Sequence, residues 1–154
     1  MNRSTLLVLM CAGLFGATSL HAQTVASDAD LAAIRATALD YIEGYYTADP
    51  ERVEKAIFTD IAKRIPMRGP QGRTRVERMS SLELINHAKS GDGKKIPVEQ
   101  QLKEVKILDV FENIASIRVD AASWVDHMQL AKLGDRWVVV NVLWQLKPRP
   151  APAG

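Results

Sequence analysis

Apolar residues in the first half of the chain recur every three or four positions, the spacing that places side chains on one face of a helix. Residues 31–47 carry the longest such run: Leu31, Ile34, Ala38, Ile42 and Tyr45. Asp49 followed by Pro50 indicates the start of a second, short helix. Ser80 and Glu83 form a capping box, which predicts a third helix ending near Gly91.

From Gln101 onward the apolar residues alternate with a period of two, which is typical of strands. Strands are predicted near residues 104–110, 115–122, 124–132 and 137–146. Short turns at Glu112–Asn113 and Gly134–Asp135 would join them into an antiparallel meander. Helices followed by strands predict the α+β class, with N-terminal helices packed on one face of a curved antiparallel sheet.

The last hairpin predicts a register. With Gly134 and Asp135 as the turn, Leu133 faces Arg136, and regular pairing then sets Met128 opposite Asn141 and Asp126 opposite Leu143. One face would hold Trp124, Asp126, Met128, Leu130, Trp137, Val139, Asn141, Leu143 and Gln145. The other would hold Val125, His127, Gln129, Val138, Val140, Val142 and Trp144.

Both predicted faces are rich in apolar groups, and the helices can cover only one of them. The second face is therefore expected to contact another subunit. This reasoning predicts a homodimer through the sheet face of Val138, Val140, Val142 and Trp144. On the same register Trp144 lies on the opposite face from Trp124, so a single cage of three tryptophans is not expected.

The first 22 residues have the layout of a cleaved export signal: Arg3, an apolar run over residues 6–16, and a small residue at Ala22. The run is shorter than the roughly 20 apolar residues that span a bilayer, so no stable membrane anchor is expected. Cleavage after Ala22 would make the protein periplasmic or secreted. It would also remove Cys11, the one cysteine, and leave no thiol nucleophile or disulfide.

Composition divides the remaining chain. Residues 23–29 are polar and predict a flexible N-terminus, residues 30–146 form one domain, and the proline-rich residues 147–154 predict a disordered tail. Charge is nearly balanced, with 20 Lys and Arg against 18 Asp and Glu, which argues against nucleic acid as a partner. Lys63 to Arg78 is rich in arginine, glycine and proline and indicates a basic loop. Such a loop either binds an anionic ligand or membrane surface or is simply solvated.

Asp126 is the candidate catalytic residue, because it lies on a largely apolar face with Trp124 and Met128. Tyr41 and Tyr45 of the first helix could face it from the opposite wall. Alternatively, Asp126 pairs with a lysine or arginine or caps a backbone amide. The predicted ligand pocket consists of Tyr41, Tyr45, Trp124, Asp126, Met128, Asn141 and Leu143.

No metal or cofactor is expected. His87 and His127 are the two histidines of the mature chain, and neither has a second ligand at metal-binding spacing. His127 is predicted to be a surface or interface residue. A serine nucleophile in a glycine-flanked turn is also missing from the sequence.

Several segments resemble the putative lumazine-binding family of the nuclear transport factor 2-like (SnoaL-like) superfamily. The segments that carry the resemblance are residues 53–64, 79–87, 124–127, 134–137 and 141–144. The resemblance implies a cone of curved antiparallel sheet wrapped on helices, a cavity at its open end and frequent dimers. Relatives often carry histidine and proline where this chain has Phe58 and Thr59.

Because the superfamily contains both enzymes and binding proteins, the fold does not choose between them. The missing histidine and the absence of a nucleophile favour an exported, non-catalytic protein that binds a small apolar or flat molecule or serves as an accessory protein. The alternative is a metal-free acid–base isomerase or dehydratase that uses Asp126 and a tyrosine of the first helix. A third possibility is a cone filled by its own side chains.

Overall fold

The computed structural model describes residues 26–148. Its α-helices are α1 (Asp28–Thr47), α2 (Pro50–Ala56) and α3 (Ser81–Lys89), and two short 3-10 helices follow at Asp92–Lys95 and Val98–Gln100. Its strands are β1 (Ile57–Arg68), β2 (Thr74–Met79), β3 (Lys103–Phe111), β4 (Ile114–Ala121), β5 (Trp124–Leu133) and β6 (Arg136–Leu146). The α+β class predicted from the sequence is confirmed.

Side-chain caps define where the helices begin. The Ser27 side chain accepts a hydrogen bond from the Asp30 amide, so α1 begins at Asp28, earlier than predicted. Asp28 and Ala29 are therefore helical and do not belong to a flexible N-terminus. Asp49 caps α2. Ser80 and Glu83 form the predicted capping box at the start of α3.

The six strands form one sheet in the order β2-β1-β6-β5-β4-β3. Strands β3 to β6 are the predicted meander, and its turns lie at Glu112–Asn113 and Gly134–Asp135 as expected. Strand β1 pairs with β6 in parallel, and every other neighbouring pair is antiparallel. Thus the first and last strands of the chain, β1 and β6, lie side by side.

The predicted basic loop between Lys63 and Arg78 is wrong, because this segment forms most of the β1–β2 hairpin. Proline and arginine obscured the strand pattern. Pairing of β1 with β6 ends at Arg64, so Pro66 lies where β1 has one neighbouring strand, a position that tolerates a missing amide hydrogen. Residues 71–78 are exposed, which accommodates the arginines in solvent.

A β-bulge corrects the predicted register of the last hairpin. Leu130 pairs with Val139 as predicted, but Gln129 pairs with Asn141, which leaves Val140 as an extra residue. Beyond the bulge, Met128 faces Val142 and Asp126 faces Trp144. From Asn141 onward, the two sets of alternating side chains of β6 therefore exchange faces relative to the prediction. Val142, Trp144 and Leu146 face the helices. Asn141, Leu143 and Gln145 lie on the outer face of the sheet.

This reversal divides the predicted dimer surface. Val142 is fully buried in the core and Trp144 packs against that core, so neither belongs to the outer face with Val138 and Val140. The outer face instead carries Leu143, whose side chain is 53% exposed. A dimer interface through all four predicted residues is thus geometrically inconsistent with the sheet.

The core lies between the helices and the inner face of the sheet. Its central residues include Ile34 and Ile42 of α1, Ile117 and Val119 of β4, and Trp137 of β6. The indole N–H of Trp137 donates to Asp30 at 2.9 Å, which joins the first turn of α1 to the sheet. Within residues 26–148, no helix combines the length and apolar composition needed to cross a lipid bilayer.

At the C-terminal end of the domain, Lys147 is held in place. Its amide donates to the Ser123 carbonyl at 2.9 Å and its ammonium to the Ala121 carbonyl at 2.7 Å, so it does not belong to a disordered tail. The predicted signal at residues 1–22 and the tail beyond Pro148 lie outside the described residues.

Candidate functional site

A cavity of about 270 Å³ opens between α1, α3 and the ends of strands β5 and β6. It is lined by Tyr41, Ile42, Tyr45, Val53, Lys63, Met79, Leu84, His87, Ser123, Trp124, Trp144 and Leu146. The floor residues Tyr41, Ile42 and Lys63 are buried. The exposed residues His87, Ser123 and Leu146 mark the mouth. The volume is slightly below the range of about 300–1,000 Å³ for drug-sized ligands, so a ligand of this cavity must be small.

Three elements place the polar and aromatic groups. Tyr41 and Tyr45 are four residues apart on α1 and so share the helix face that covers the sheet. The bulge in β6 turns Trp144 inward, toward Trp124 on β5. Lys63 lies between Ile61 and Ile65 on β1, and all three are buried, as expected for alternate residues of a strand with one covered face.

The floor of the cavity contains a buried ion pair. The Lys63 ammonium donates to Asp126 Oδ1 at 2.8 Å and to the Tyr41 hydroxyl at 2.7 Å. The Trp124 indole N–H donates to Asp126 Oδ2 at 2.8 Å. Both oxygens of the fully buried carboxylate are therefore engaged by protein donors. Asp126 lies behind the cavity wall and is not one of the residues that line it.

Burial and the hydrogen-bonded partners of Lys63 shift its pKa in opposite directions. Burial alone lowers the pKa of the Lys63 ammonium, but the Asp126 carboxylate and the Tyr41 hydroxyl outweigh it, and the pKa lies above its ordinary value. Burial raises the pKa of Tyr41 to about 12. At neutral pH the ammonium is thus charged and the phenol keeps its hydrogen, which makes both groups donors and neither a base.

Aromatic rings surround the ammonium. Lys63 Nζ lies 4.9 Å from the centroid of the Trp144 ring, 5.3 Å from that of Tyr41 and 6.0 Å from that of Trp124. These distances are within the range of about 6 Å for cation–π attraction. Tyr45 packs edge-on against Trp124 with their centroids 5.5 Å apart. The cavity is therefore an aromatic chamber with one charge in its floor.

The predicted pocket residues divide into three groups. Tyr41, Tyr45 and Trp124 line the cavity. Asp126 and Met128 lie on the same face of the sheet, but both are fully buried and neither lines the cavity. Asn141 and Leu143 were placed on the wrong face, because the bulge sends them to the outer side, where the Asn141 amide accepts from Arg64 and donates to Gln129.

Sequence reasoning missed Lys63 and assigned Trp144 to the opposite face from Trp124. The alternation of Ile61, Lys63 and Ile65 was an available signal for Lys63, since a lysine between two inward isoleucines on a strand must itself point inward. The arginines and glycines that follow hid that signal. Trp144 depends on the bulge, which has no comparable signature in the sequence.

The two histidines considered as metal ligands lie apart. His127 is exposed on the outer face of the sheet, and His87 lies at the cavity mouth. Phe58 and Thr59 are exposed and contribute nothing to the cavity wall, so their departure from the family pattern does not alter this site. Among the residues that the structure describes, no group of three or more His, Cys, Asp and Glu side chains is arranged to hold a metal ion.

Several solved structures share the fold of this chain. A nuclear transport factor 2-like protein of unknown function from Silicibacter pomeroyi superposes with a TM-score of 0.62 and 15% identity, covering 80% of this chain and 100% of that one. A similar protein from Methylobacillus flagellatus gives 0.61 and 19%, covering 82% and 98%. A ketosteroid isomerase-like protein from Erwinia carotovora gives 0.55 and 18%, covering 80% and 100%.

These identities are low enough that the superpositions show the fold and nothing about activity. No curated protein matches the chain. The sequence model of one family, described as putative lumazine-binding, matches residues 29–145. The chain therefore belongs to the putative lumazine-binding family, and it shares the fold of the nuclear transport factor 2-like structures.

Proposed function

We propose that this chain is an exported, non-catalytic protein that binds a small flat or apolar molecule in the cavity at the open end of the sheet. The observation that carries the proposal is the chamber itself, whose wall is largely aromatic and aliphatic and whose floor charge is already paired. An apolar, concave site with few polar groups is the usual form of a small-molecule pocket.

Two features of Asp126 argue against the acid–base alternative. A general base must come within hydrogen-bonding distance of the proton that it removes. Asp126 is fully buried behind the cavity wall, and Lys63 and Trp124 already occupy its two oxygens. Tyr41, with its pKa raised to about 12 by burial, is a poor base at neutral pH.

The family description suggests lumazine, a bicyclic pteridine dione, as the first ligand to test. We expect lumazine to bind residues 23–154 in isothermal titration calorimetry with one site per chain. Leu146→Trp should weaken binding at least tenfold, because Leu146 lies at the cavity mouth and a larger side chain there obstructs it.

The matched control is Leu143→Trp. Leu143 and Leu146 are both exposed on β6, at 53% and 46%, but Leu143 lies on the outer face of the sheet. Equal binding by the two variants would show that lumazine binds elsewhere. If lumazine does not bind at all, native mass spectra of protein isolated from producing cells test the wider proposal, which predicts a small molecule released from the chain.

Export is tested separately. The full chain is produced in a Gram-negative bacterium, and the periplasmic fraction is recovered by osmotic shock. We expect a soluble form in that fraction whose N-terminal sequence begins at Gln23, because Ala22 is the small residue that ends the predicted signal. Retention of Met1 on protein confined to the cytoplasm would contradict the export part of the proposal.

A further inference from the structure

The floor of the cavity holds two adjacent hydrogen-bond donors with hydrogens left over. A lysine ammonium has three N–H groups, and Lys63 uses one on Asp126 and one on Tyr41. The Tyr41 hydroxyl accepts from Lys63, and within residues 26–148 no acceptor is found for its own hydrogen. Both side chains line the cavity. One ammonium hydrogen and one phenol hydrogen are therefore available to a molecule inside it.

We infer that the ligand is a neutral, flat molecule whose carbonyl oxygen accepts hydrogen bonds from Lys63 and Tyr41. A carbonyl oxygen has two lone pairs and can accept from both donors at once. This inference rests on the proposed function, since it names the class of molecule that the same cavity binds.

Charge distinguishes a carbonyl from a carboxylate. The Lys63 ammonium is 2.8 Å from Asp126 Oδ1, so the floor carries a balanced pair. A carboxylate ligand would bring a second negative charge close to Asp126 in a buried site, and desolvating that charge is costly. A neutral carbonyl takes the free hydrogens without adding charge. The surrounding rings of Tyr45, Trp124 and Trp144 favour a flat partner.

The test compares three bicyclic probes of similar size: 1-indanone, which has a carbonyl, indane, which has none, and indane-2-carboxylate. Their dissociation constants for residues 23–154 are measured by NMR titration. We expect 1-indanone to bind about tenfold or more tightly than indane, the usual gain from hydrogen bonds to a charged donor. We expect it also to bind more tightly than the carboxylate. The carbonyl stretching band of bound 1-indanone should shift to lower frequency.

Variants separate the donors from the chamber. Tyr41→Phe should reduce the preference for 1-indanone over indane severalfold and diminish the shift of the carbonyl band. Lys63→Met combined with Asp126→Leu removes the ammonium without leaving a buried charge, and should reduce the preference further. The control is Tyr46→Phe, which removes a hydroxyl from the same helix. That hydroxyl bonds the backbone of Leu102 and Ala122 and Tyr46 does not line the cavity, so the preference should be unchanged.

Equal affinity for 1-indanone and indane would overturn the inference, and so would a preference that survives both donor changes or tighter binding of the carboxylate. In each of those cases binding that is lost in Leu146→Trp would leave the proposed function standing. If none of the three probes binds, this inference is overturned, whereas the lumazine titration and the native mass spectra decide the proposed function separately.

Discussion

At the scale of single residues, the pair of Lys63 and Asp126 is expected to contribute to stability as well as to the site. Both side chains are buried, so removing one partner leaves an uncompensated charge inside the domain. Lys63→Met should therefore lower the free energy of unfolding by about 3–5 kcal/mol. Urea denaturation measures this loss.

Two controls accompany that measurement. Arg64→Met changes the neighbouring, exposed residue of β1 and should cost no more than about 0.5 kcal/mol. The double change Lys63→Met and Asp126→Leu should restore most of the stability, because no unpaired charge remains. If Lys63→Met is as stable as Arg64→Met, the ion pair does not form in solution.

One partner of this ion pair could be predicted from the sequence. That Asp126 could be buried, and that it could pair with a lysine or arginine, followed from its position on an apolar strand face. Which cation it meets could not be predicted, because Lys63 lies 63 residues away in sequence and reaches Asp126 through the parallel pairing of β1 with β6. Long-range pairing of this kind leaves no local pattern.

At the scale of secondary-structure elements, the bulge in β6 determines which residues face the cavity. Deleting Val140 would restore regular pairing and turn Asn141, Leu143 and Gln145 inward while Val142 and Trp144 turn outward. We expect the deletion to abolish cooperative unfolding in urea and the near-ultraviolet circular dichroism of the tryptophans. Val140→Ala keeps the residue count and should preserve both, and a well-folded deletion variant would contradict this account of the bulge.

The attachment of α1 to the sheet should depend on pH. Hydrogen bonds from Lys132, Trp137 and Ser27 lower the pKa of Asp30 to about 2. Because this pKa is below the ordinary value of about 3.9, the native contacts stabilise the fold above pH about 4 and are lost as the pH falls toward 2.

Asp30→Asn measures that contribution. The variant should have a lower urea midpoint than the parent at pH 7, and the difference should shrink as the pH is lowered below about 4. A difference that stays constant down to pH 3 would mean that the charge of Asp30 has no part in holding α1.

The elements themselves were largely predictable. Capping at Ser80 and Glu83, the turn at Gly134–Asp135 and the alternation after Gln101 are local signals, and the structure confirms each of them. The β1–β2 hairpin was not predicted. Few side chains of this hairpin point into the core. Because β2 lies at the edge of the sheet and its arginines are exposed, the sequence of the hairpin resembles that of a solvated loop.

At the scale of the whole molecule, the homodimer stays a prediction, but its surface changes. Val142 and Trp144 face the helices and Val138 is itself buried, so any sheet-to-sheet contact must use Val140 and the exposed Leu143 on the outer face. We expect multi-angle light scattering to give twice the subunit mass and Leu143→Arg to give the subunit mass. A monomeric parent protein would rule out this contact.

Binding of a small molecule in the cavity can be tested through the three tryptophan indole N–H signals of ¹⁵N-labelled protein. Trp124 and Trp144 line the cavity, whereas Trp137 is buried elsewhere and held by Asp30, so it serves as an internal control. During titration with 1-indanone we predict that the Trp124 and Trp144 signals move in a saturable manner and that the Trp137 signal does not. Three unchanged signals, or equal movement of the Trp137 signal, would show that 1-indanone does not bind specifically in the cavity.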